Sequence, residues 1–499
     1  KCSSTYHVYK NIAPSQIPLL KTIANLSSLG IKLSLNFKAK YKTTFLTRKA
    51  YKKGSDPSLL FCNITNHEMA LLVSRSTRGM VKPSEPTPDG TLDLSVIDKL
   101  PVLKVFVRTL HVYQHGPGAA GVIKEALSKA LVPYYPLAGR LKESDQGQLQ
   151  VDCSGLGVWF VEASAGCSLE SVGYFDNALS VPWQDLLPDS VPEAGVEDKE
   201  PLVQMQVTQF ECGGFIIGLR FNHSLCDGLG AAQFLNAVGE LARGLEHPII
   251  DPIWHRDFLP TSIQPPNIKL PPLPVPNYTL QPANVDIPAS RIETIKNQFK
   301  EATGRHCSTF EVAAALFWKY RTVAAIASDR DKDTEVVRLC FFANCRNLVD
   351  PPIPQGFYGN AFFLVTIACS SESLARSSDN DVIGMIQKAK AGLPEEFAKY
   401  AKGEHLKEGA VDPFLPPPTF TTLFLSEWGR LGFNRVDYGW GAPVTVVPIQ
   451  GSNVIPAGVI GSLPFPEKGI RLMTWCVEEA QRQRFVDLLS KEPYDMKLA

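Results

Sequence analysis

One histidine of the 499-residue chain stands where it could act as a general base: His223, which precedes Asp227 and Gly228 in a His-x-x-x-Asp-Gly segment. An alternating apolar run over 215–221 predicts a strand before it, and apolar residues at helical spacing over 231–243 predict a helix after it. The ordinary pKa of histidine, near 6.5, allows a neutral imidazole to take a proton from a hydroxyl group. We therefore expect His223 at a strand end, projecting into a cleft.

The spacing alone is weak evidence, because His247 and Asp251 form a second His-x-x-x-Asp segment. This copy has neither a preceding strand nor a following glycine turn, and we interpret it as an exposed loop. For His223 and Asp227, an ordinary strand-helix junction with a hydrogen-bonded histidine and an N-capping aspartate stays open as an alternative. For Asp227 we favour a structural role, in which it caps the turn and pairs with an arginine.

A second candidate element is a loop in which glycines flank a tryptophan: Asp437, Tyr438, Gly439, Trp440 and Gly441. Glycine allows the main chain to turn tightly, and the indole offers an N-H donor. A tight turn anchored by a core tryptophan would explain the same residues without any chemistry.

Other reactive side chains give weaker signals. The eleven cysteines are scattered and contain no Cys-x-x-Cys pair, and we interpret Cys226, inside the first segment, as a small buried thiol rather than a nucleophile. His111 and His115 have a spacing that suits a metal ion on a helix, but the residues from Phe106 onward have the alternation of a strand. No metal site is expected.

The composition excludes several classes of protein. The 50 basic and 50 acidic residues give a net charge of zero, so no overall field favours nucleic acid. A hydrophobic content of 44% is typical of a globular chain, and the sequence has no apolar run long enough to span a membrane.

The first 68 residues differ in composition from the rest, with eleven basic residues against two acidic ones. Three explanations stay open: a gene-model artefact, which we favour because the first methionine is Met69, a transit peptide, or a genuine accessory segment. We expect residues 1–68 to lie outside the fold and a chain that starts at Met69 to fold and to be active.

The remaining chain divides at a proline-rich stretch, which has eleven prolines over residues 248–288. This density predicts an extended linker between an N-terminal domain, 69–247, and a C-terminal domain, 289–499. Patterns typical of strands and helices alternate on both sides, which favours two packed α/β layers. The later elements include a Ser308/Glu311 capping box that opens a helix and a strand over 470–476.

The two candidate segments together resemble the hallmarks of the plant BAHD acyl-CoA-dependent acyltransferases, His-x-x-x-Asp-Gly and Asp-Phe-Gly-Trp-Gly, in this order and at about this separation. The resemblance covers the chain from Met69 onward. It includes Pro86-Thr-Pro88, Leu94-Ser-x-Ile-Asp98, Tyr135-Pro-Leu-Ala-Gly-Arg140, Asn344-Cys-Arg346 with Pro351-Pro352, and Tyr358-Gly-Asn360. Tyr438 departs from the family's usual phenylalanine, and a buried hydroxyl there would need a partner.

The resemblance implies an α/β, two-domain chloramphenicol acetyltransferase-like fold with a solvent channel between the domains. It implies that His223 deprotonates an acceptor hydroxyl, which attacks a CoA thioester without a covalent enzyme intermediate. Trp440 would donate to the oxyanion or line the channel, and Arg346 would pair with Asp227. The catalytic candidates are His223, Asp227 and Trp440. The remaining residues of the two segments would have structural roles: Gly228, Asp437, Gly439 and Gly441.

From these features we predict an acyl-CoA-dependent O-acyltransferase that moves a benzoyl or acetyl group to a small alcohol or terpenoid. The residues around 212–215 and 228–234 resemble the branch that holds benzyl alcohol benzoyltransferase, alcohol acyltransferases and taxane acetyltransferases. Hydroxycinnamoyl or amine N-acyl transfer is the enzymatic alternative, and a non-catalytic binding protein that retains the fold is the alternative of another class.

We expect acyl-CoA as a co-substrate, no cofactor, no metal, no nucleic-acid partner and a monomer. We also expect a cytoplasmic location, because a glycan on Asn222 would block the cleft beside His223.

Overall fold

A computed structural model describes residues 71–176, 183–191, 200–263, 276–326, 336–449 and 455–490. The chain divides into the units 1–70 and 71–499. The expectation for residues 1–68 therefore falls outside the described residues, and all of the described elements belong to the second unit.

Within these ranges the chain forms fifteen strands and seven α-helices. The strands are β1 (Val73–Val81), β2 (Thr91–Asp93), β3 (Phe106–Tyr113), β4 (Arg140–Glu143), β5 (Leu149–Asp152), β6 (Val158–Ala165), β7 (Val203–Phe210), β8 (Phe215–Asn222), β9 (Gln281–Pro288), β10 (Val336–Asn344), β11 (Phe362–Ser370), β12 (Thr422–Glu427), β13 (Thr445–Pro448), β14 (Ala457–Ser462) and β15 (Gly469–Val477). The helices are α1 (Ala119–Ala130), α2 (Gly228–Ala242), α3 (Ala289–Thr303), α4 (Thr309–Ile326), α5 (Ser371–Arg376), α6 (Asp379–Ala401) and α7 (Glu479–Ser490).

Two six-stranded sheets organise the two halves of this unit. The first has the strand order β1-β6-β7-β8-β3-β13 and the second β11-β10-β12-β14-β15-β9, while β2, β5 and β4 form a small third sheet. Helices α1 and α2 contribute to the core of the first sheet, and α4, α6 and α7 contribute to that of the second. This is the two-domain α/β arrangement that the sequence predicts.

The local sequence patterns predict the positions of several of these elements to within a few residues. The strand expected over 215–221 is β8, and the helix expected after it is α2, which begins three residues earlier than the apolar spacing indicates. The predicted capping box opens α4: the Ser308 hydroxyl accepts from the Glu311 amide at 3.2 Å, and the Glu311 carboxylate accepts from the Ser308 amide at 2.9 Å. Such reciprocal bonds satisfy amide groups that a helix start leaves unpaired.

The predicted linker is too long at its C-terminal end. Residues 281–288 form β9, which pairs antiparallel with β15 at the edge of the second sheet. Two prolines, Pro282 and Pro288, are compatible with this position because an edge strand leaves one row of amides unpaired and proline has no N-H to lose. Proline density therefore excludes an interior strand there but not an edge strand.

The predicted boundary between the halves is also crossed by one strand. Thr445–Pro448, from the C-terminal half of the chain, forms β13 and pairs antiparallel with β3 at the edge of the first sheet. Hydrophobic periodicity indicates a strand but not its partner, so the pairing of β13 with β3 could not be predicted from the sequence. It ties the loop 437–441 to the first half of the fold.

Candidate active site

His223 lies directly after β8, in the turn that leads into α2. Its backbone amide donates to the Val105 carbonyl at 2.9 Å, and its carbonyl accepts from the Asn360 side-chain amide at 2.8 Å. These bonds fix the main chain on both sides of the residue. The ring is only partly buried and meets the Phe362 ring edge-on at 6.3 Å.

A cavity of about 940 Å³ opens beside this ring, between the two sheets. Val107, Thr109 and Phe221 line it from the first sheet. Phe342, Phe362 and Phe424 line it from the second. The wall is mainly apolar, as is usual for a small-molecule site, so the few polar groups that face it decide its chemistry.

The imidazole of His223 is not held by a carboxylate of the described residues. Its Nδ1 is buried and has no hydrogen-bond partner among them. Of the ordinary strand-helix junction, the structure thus contains the N-capping aspartate, Asp227, but no hydrogen-bond partner for His223 Nδ1 among the described residues. A ring of this kind, at the wall of a cavity, is available to exchange a proton with a bound molecule.

The carboxylate of Asp227 does not bind the His223 ring but is hydrogen-bonded to other groups. Arg346 binds both of its carboxylate oxygens, through Nη1 to Oδ2 at 2.8 Å and through Nη2 to Oδ1 at 3.0 Å. The amides of Gly230 and Ala361 donate to the same carboxylate at 3.0 and 3.2 Å. The structure thus contains the predicted pairing with Arg346, and Asp227 caps α2. These partners favour a positioning role for Asp227, as the sequence suggests, over its place among the catalytic candidates.

A buried network behind His223 was not predicted as part of the site. Asp98, which is 0% exposed, accepts from Arg256 Nη1 at 2.9 Å and from Asn360 Nδ2 at 2.7 Å. Arg256 Nη2 also donates to the Leu225 carbonyl at 2.8 Å. The network thus fixes the main chain at 223–225 through the His223 and Leu225 carbonyls. Asp98 and Asn360 lie in segments that carry the family resemblance, which was the available signal, whereas nothing marked Arg256.

The second candidate segment, 437–441, is a tight loop. Asp437 Oδ1 accepts from the amides of Gly439 and Gly441, each at 2.8 Å, and the two glycines have φ angles of 109° and 94°. Side chains other than glycine are disfavoured at such angles. The loop packs on α2 at Gly239, where a Cβ atom would lie 2.5 Å from the Asp437 carbonyl oxygen. The loop 437–441 is therefore in direct contact with the helix that follows the first segment.

Trp440 is far from His223. Its ring meets Phe215 edge-on at 5.9 Å, and Phe215 begins β8 whereas His223 follows its end. Eight residues of strand, at about 3.3 Å each, separate the two positions by roughly 26 Å. Trp440 instead lines a second cavity of about 530 Å³. Its position does not support the oxyanion role that the resemblance implies.

Tyr438 has the partner that its buried hydroxyl needs. It is 2% exposed, its ring meets that of Tyr113 edge-on at 5.5 Å, and its hydroxyl interacts with the Tyr113 hydroxyl, which donates to the Val436 carbonyl at 3.1 Å. Burial raises the pKa of Tyr438, so the phenol stays neutral. The departure from phenylalanine is accommodated in the packing.

Ser426 is a further polar group at the cavity beside His223, and it was not among the predicted site residues. Its hydroxyl oxygen accepts from the Trp428 indole N-H at 3.1 Å, and both residues line the cavity that contains His223. Because the oxygen already accepts, the hydroxyl proton is free to be donated to another group. The alternation of β12, which turns Phe424 and Ser426 to one face, was the signal that could have found it.

Two weaker candidates are explained by burial. Burial raises the pKa of the Cys226 thiol well above its usual 9.0, so it stays protonated and is a poor nucleophile. His111 Nε2 is 2.9 Å from Thr109 Oγ1, and burial lowers the pKa of His111 to about 3. No cluster of His, Cys, Asp or Glu suited to a metal ion occurs in the described part of the chain.

Comparison with known proteins gives consistent relatives. A family model described as "Transferase family" matches residues 71–462. Acyl transferase 4 from Oryza sativa subsp. japonica is 42% identical over 82% of this chain and 97% of its own length. The 3'-N-debenzoyl-2'-deoxytaxol N-benzoyltransferase of Taxus canadensis is 35% identical over 81% of this chain and 93% of its own.

Solved structures show the same fold at lower identity. Vinorine synthase superposes with a TM-score of 0.64 at 23% identity and covers 84% of this chain and 98% of its own. F. sporotrichioides TRI101, complexed with coenzyme A and T-2, has a TM-score of 0.62 at 14% identity. The superposition covers 82% of this chain and 98% of the TRI101 chain. Across the described ranges, no helix is both long and apolar enough to cross a membrane.

Proposed function

This chain belongs to the Transferase family, the plant BAHD acyl-CoA-dependent acyltransferases, and from this membership we propose that it moves an acyl group from a CoA thioester to the hydroxyl of a small alcohol or terpenoid. One observation supports this most strongly. The imidazole of His223, with no carboxylate partner among the described residues, stands at the wall of a cavity that both halves of the fold line.

In the proposed reaction, His223 takes the proton of the acceptor hydroxyl as its oxygen attacks the thioester carbonyl. A tetrahedral oxyanion forms, and its collapse breaks the carbon-sulfur bond. The CoA thiolate leaves and receives the proton from the imidazolium. The proton and the acyl group are thereby accounted for without an acyl-enzyme intermediate, and the reaction uses no cofactor besides the acyl-CoA substrate.

We assign the oxyanion donor to Ser426 rather than to Trp440. The Ser426 hydroxyl has a free proton and lines the same cavity as His223, whereas Trp440 packs at the opposite end of β8. A fixed donor that faces the developing charge lowers the barrier more than it stabilises the neutral substrate.

The cavity wall supports an apolar acyl group or acceptor. Aromatic side chains from β10, β11 and β12 surround the space beside His223, which suits a benzoyl group and also admits acetyl. The Taxus relative is named as a benzoyltransferase that acts on nitrogen, so amine acylation, like hydroxycinnamoyl transfer, stays an alternative outcome of the assay below.

We further propose that the enzyme acts as a monomer in the cytoplasm. Asn222 is buried and its side-chain oxygen accepts from the Ser224 amide at 3.0 Å, which is incompatible with a glycan on this residue. The nine cysteines within the described ranges are free thiols, as is usual in a reducing compartment.

The test is the release of free CoA thiol from benzoyl-CoA, acetyl-CoA and coumaroyl-CoA with a panel of alcohols and amines. We expect His223→Ala to lose about 10²- to 10⁴-fold in kcat while the unfolding midpoint stays close to that of the parent.

The matched control is His247→Ala, which alters the exposed second His-x-x-x-Asp segment and should retain full activity. A His223→Ala enzyme as active as the parent would contradict the assigned base. A parent that releases no CoA with any pair would favour the non-catalytic alternative.

A further inference from the structure

Two aromatic side chains stand between the catalytic cavity and the second cavity. Trp428 and Phe433 line both spaces, and their ring centroids are 5.8 Å apart. The cavity with His223 has a volume of about 940 Å³, and the space behind the two rings has about 530 Å³. The pair therefore forms a partition between them.

The partition is held in place on both sides. Trp428 is tied to Ser426 through its indole N-H, and Phe433 is 6% exposed and meets the His111 ring edge-on at 5.5 Å. The close packing of His111 and Phe433 gives the phenylalanine little freedom to turn aside.

The second cavity combines apolar surface, which suits an aliphatic chain, with polar and titratable groups that include His115 and Glu467. Val444, Val446 and Leu463 contribute to its lining, and neither lysine nor arginine is among the described residues that line it. The phosphates of CoA would find no lysine or arginine partner in that described lining. Phe465, which also lines it, is 78% exposed, so this space reaches the molecular surface.

We infer that Phe433 is a specificity-determining residue, which limits the length of the aliphatic chain that the enzyme accepts by closing the catalytic cavity off from the second one. The inference rests on the proposed acyl transfer. The chain could belong to the acyl thioester or to the alcohol, since both meet at His223. Removing the Phe433 ring would join the two spaces and let a longer chain extend into the second.

The magnitude follows from the transfer of methylene groups out of water. Each methylene that enters the added space raises kcat/KM by up to about fourfold, whereas a chain short enough for the original cavity gains nothing. The signature of the partition is therefore a change in the dependence on chain length, not a uniform change in rate.

The experiment compares the parent with Phe433→Ala and Phe433→Leu in two arms. One arm uses acetyl-, butanoyl-, hexanoyl-, octanoyl- and decanoyl-CoA with benzyl alcohol, and the other uses straight-chain primary alcohols from ethanol to decanol with acetyl-CoA. We expect the optimum of kcat/KM to move to longer chains in the arm whose substrate points at Phe433. Phe433→Leu gives a smaller shift and serves if the alanine variant does not fold.

Two controls separate the partition from a general loosening. Phe342→Ala removes a ring of the same size from the catalytic cavity alone, at a residue 43% exposed, and should not favour long chains progressively. Val446→Phe fills the second cavity, and combined with Phe433→Ala it should restore the length profile of the parent.

Equal length profiles for the parent and both Phe433 variants in an active enzyme would overturn the inference and leave the proposed function intact. A Phe342→Ala variant that shifts the profile as Phe433→Ala does would overturn the inference as well. An inactive parent with every substrate pair would instead remove the proposed function on which the inference rests.

Discussion

The proposed chemistry depends on two side chains that approach the cavity from different sheets. His223 provides a ring nitrogen that can accept a proton, and Ser426 provides a hydroxyl proton that can be donated. General-base catalysis and oxyanion stabilisation need these two functions at one reacting carbonyl. In this proposal Asp227, which binds Arg346, has a positioning role, whereas Trp440 packs on Phe215 at the opposite end of β8.

Replacing Ser426 tests the assigned oxyanion donor. We expect Ser426→Ala to lower kcat by about 10²-fold with little change in KM, because the donated hydrogen bond forms only in the transition state. The unfolding midpoint should fall slightly, because the Trp428 indole N-H loses its acceptor. Steady-state kinetics with benzoyl-CoA measure this, and Ser426→Thr, which keeps the hydroxyl, should recover most of the rate. Ser462→Ala, in the second cavity, is the matched control. A Ser426→Ala variant with the kcat of the parent would exclude the role.

His111 makes stability depend on pH. Burial lowers its pKa from 6.5 to about 3 in the folded protein. Between these values the unfolded chain binds a proton that the folded chain does not, so the free energy of unfolding falls as pH decreases from 6.5, by up to about 1.4 kcal/mol per pH unit. Above pH 6.5 this contribution is fully present.

The measurement is urea unfolding at several pH values for the parent and His111→Gln. The glutamine variant should have a shallower dependence on pH below 6.5, while His247→Gln, at an exposed residue, should follow the parent. Parallel curves for the parent and His111→Gln would show that His111 is not the group responsible.

At the scale of elements, α2 connects the parts of the site. Its N-terminus carries the Asp227 cap, and its Gly239 lets the loop 437–441 approach closely. Its Gly228 leaves room for Leu431, because a Cβ atom there would lie 2.4 Å from the leucine side chain. Close packing against backbone requires glycine at Gly239, whereas at Gly228 the leucine side chain could move to admit a Cβ atom.

Replacing Arg346 tests how much the position of Asp227 and the start of α2 depends on the bidentate ion pair between Arg346 and Asp227. Lysine keeps the charge but cannot bind both oxygens of Asp227, and we expect Arg346→Lys to lose about 1 to 3 kcal/mol of unfolding free energy together with part of kcat. Urea unfolding and steady-state kinetics measure both effects. Arg376→Lys is the control, since its pair with Glu372 is exposed and should contribute nothing measurable. Unchanged kcat and stability in Arg346→Lys would contradict a positioning role.

At the scale of the whole molecule, the site exists only because two halves meet. The cavity beside His223 takes one wall from each sheet, and β13 returns from the C-terminal half to pair with β3. Arg471 of β15 binds Asp286 of β9 and reaches Asp176 of the first half at 2.6 Å. These long-range contacts hold the two walls around the cavity.

The local sequence was sufficient for those features whose cause is local. The alternation of β8, the Ser308 cap of α4 and the glycine turn at 437–441 depend on neighbours within a few residues, and the structure places each where the pattern indicates. The choice of His223 as the candidate base came from the strand and helix predicted on either side of it, whereas Arg346 as the partner of Asp227 came from the family resemblance.

Tertiary structure alone decided which distant residues meet. The separation of Trp440 from His223, the approach of Ser426 and Trp428 to the cavity, and the role of Asp98 behind His223 all depend on how strands pair across the chain. Periodicity fixes which face a side chain takes, but register and strand order arise from contacts summed over the whole core. The same reason hides Phe433 from the sequence, because a partition is a relation between two cavities and neither exists until both sheets are packed.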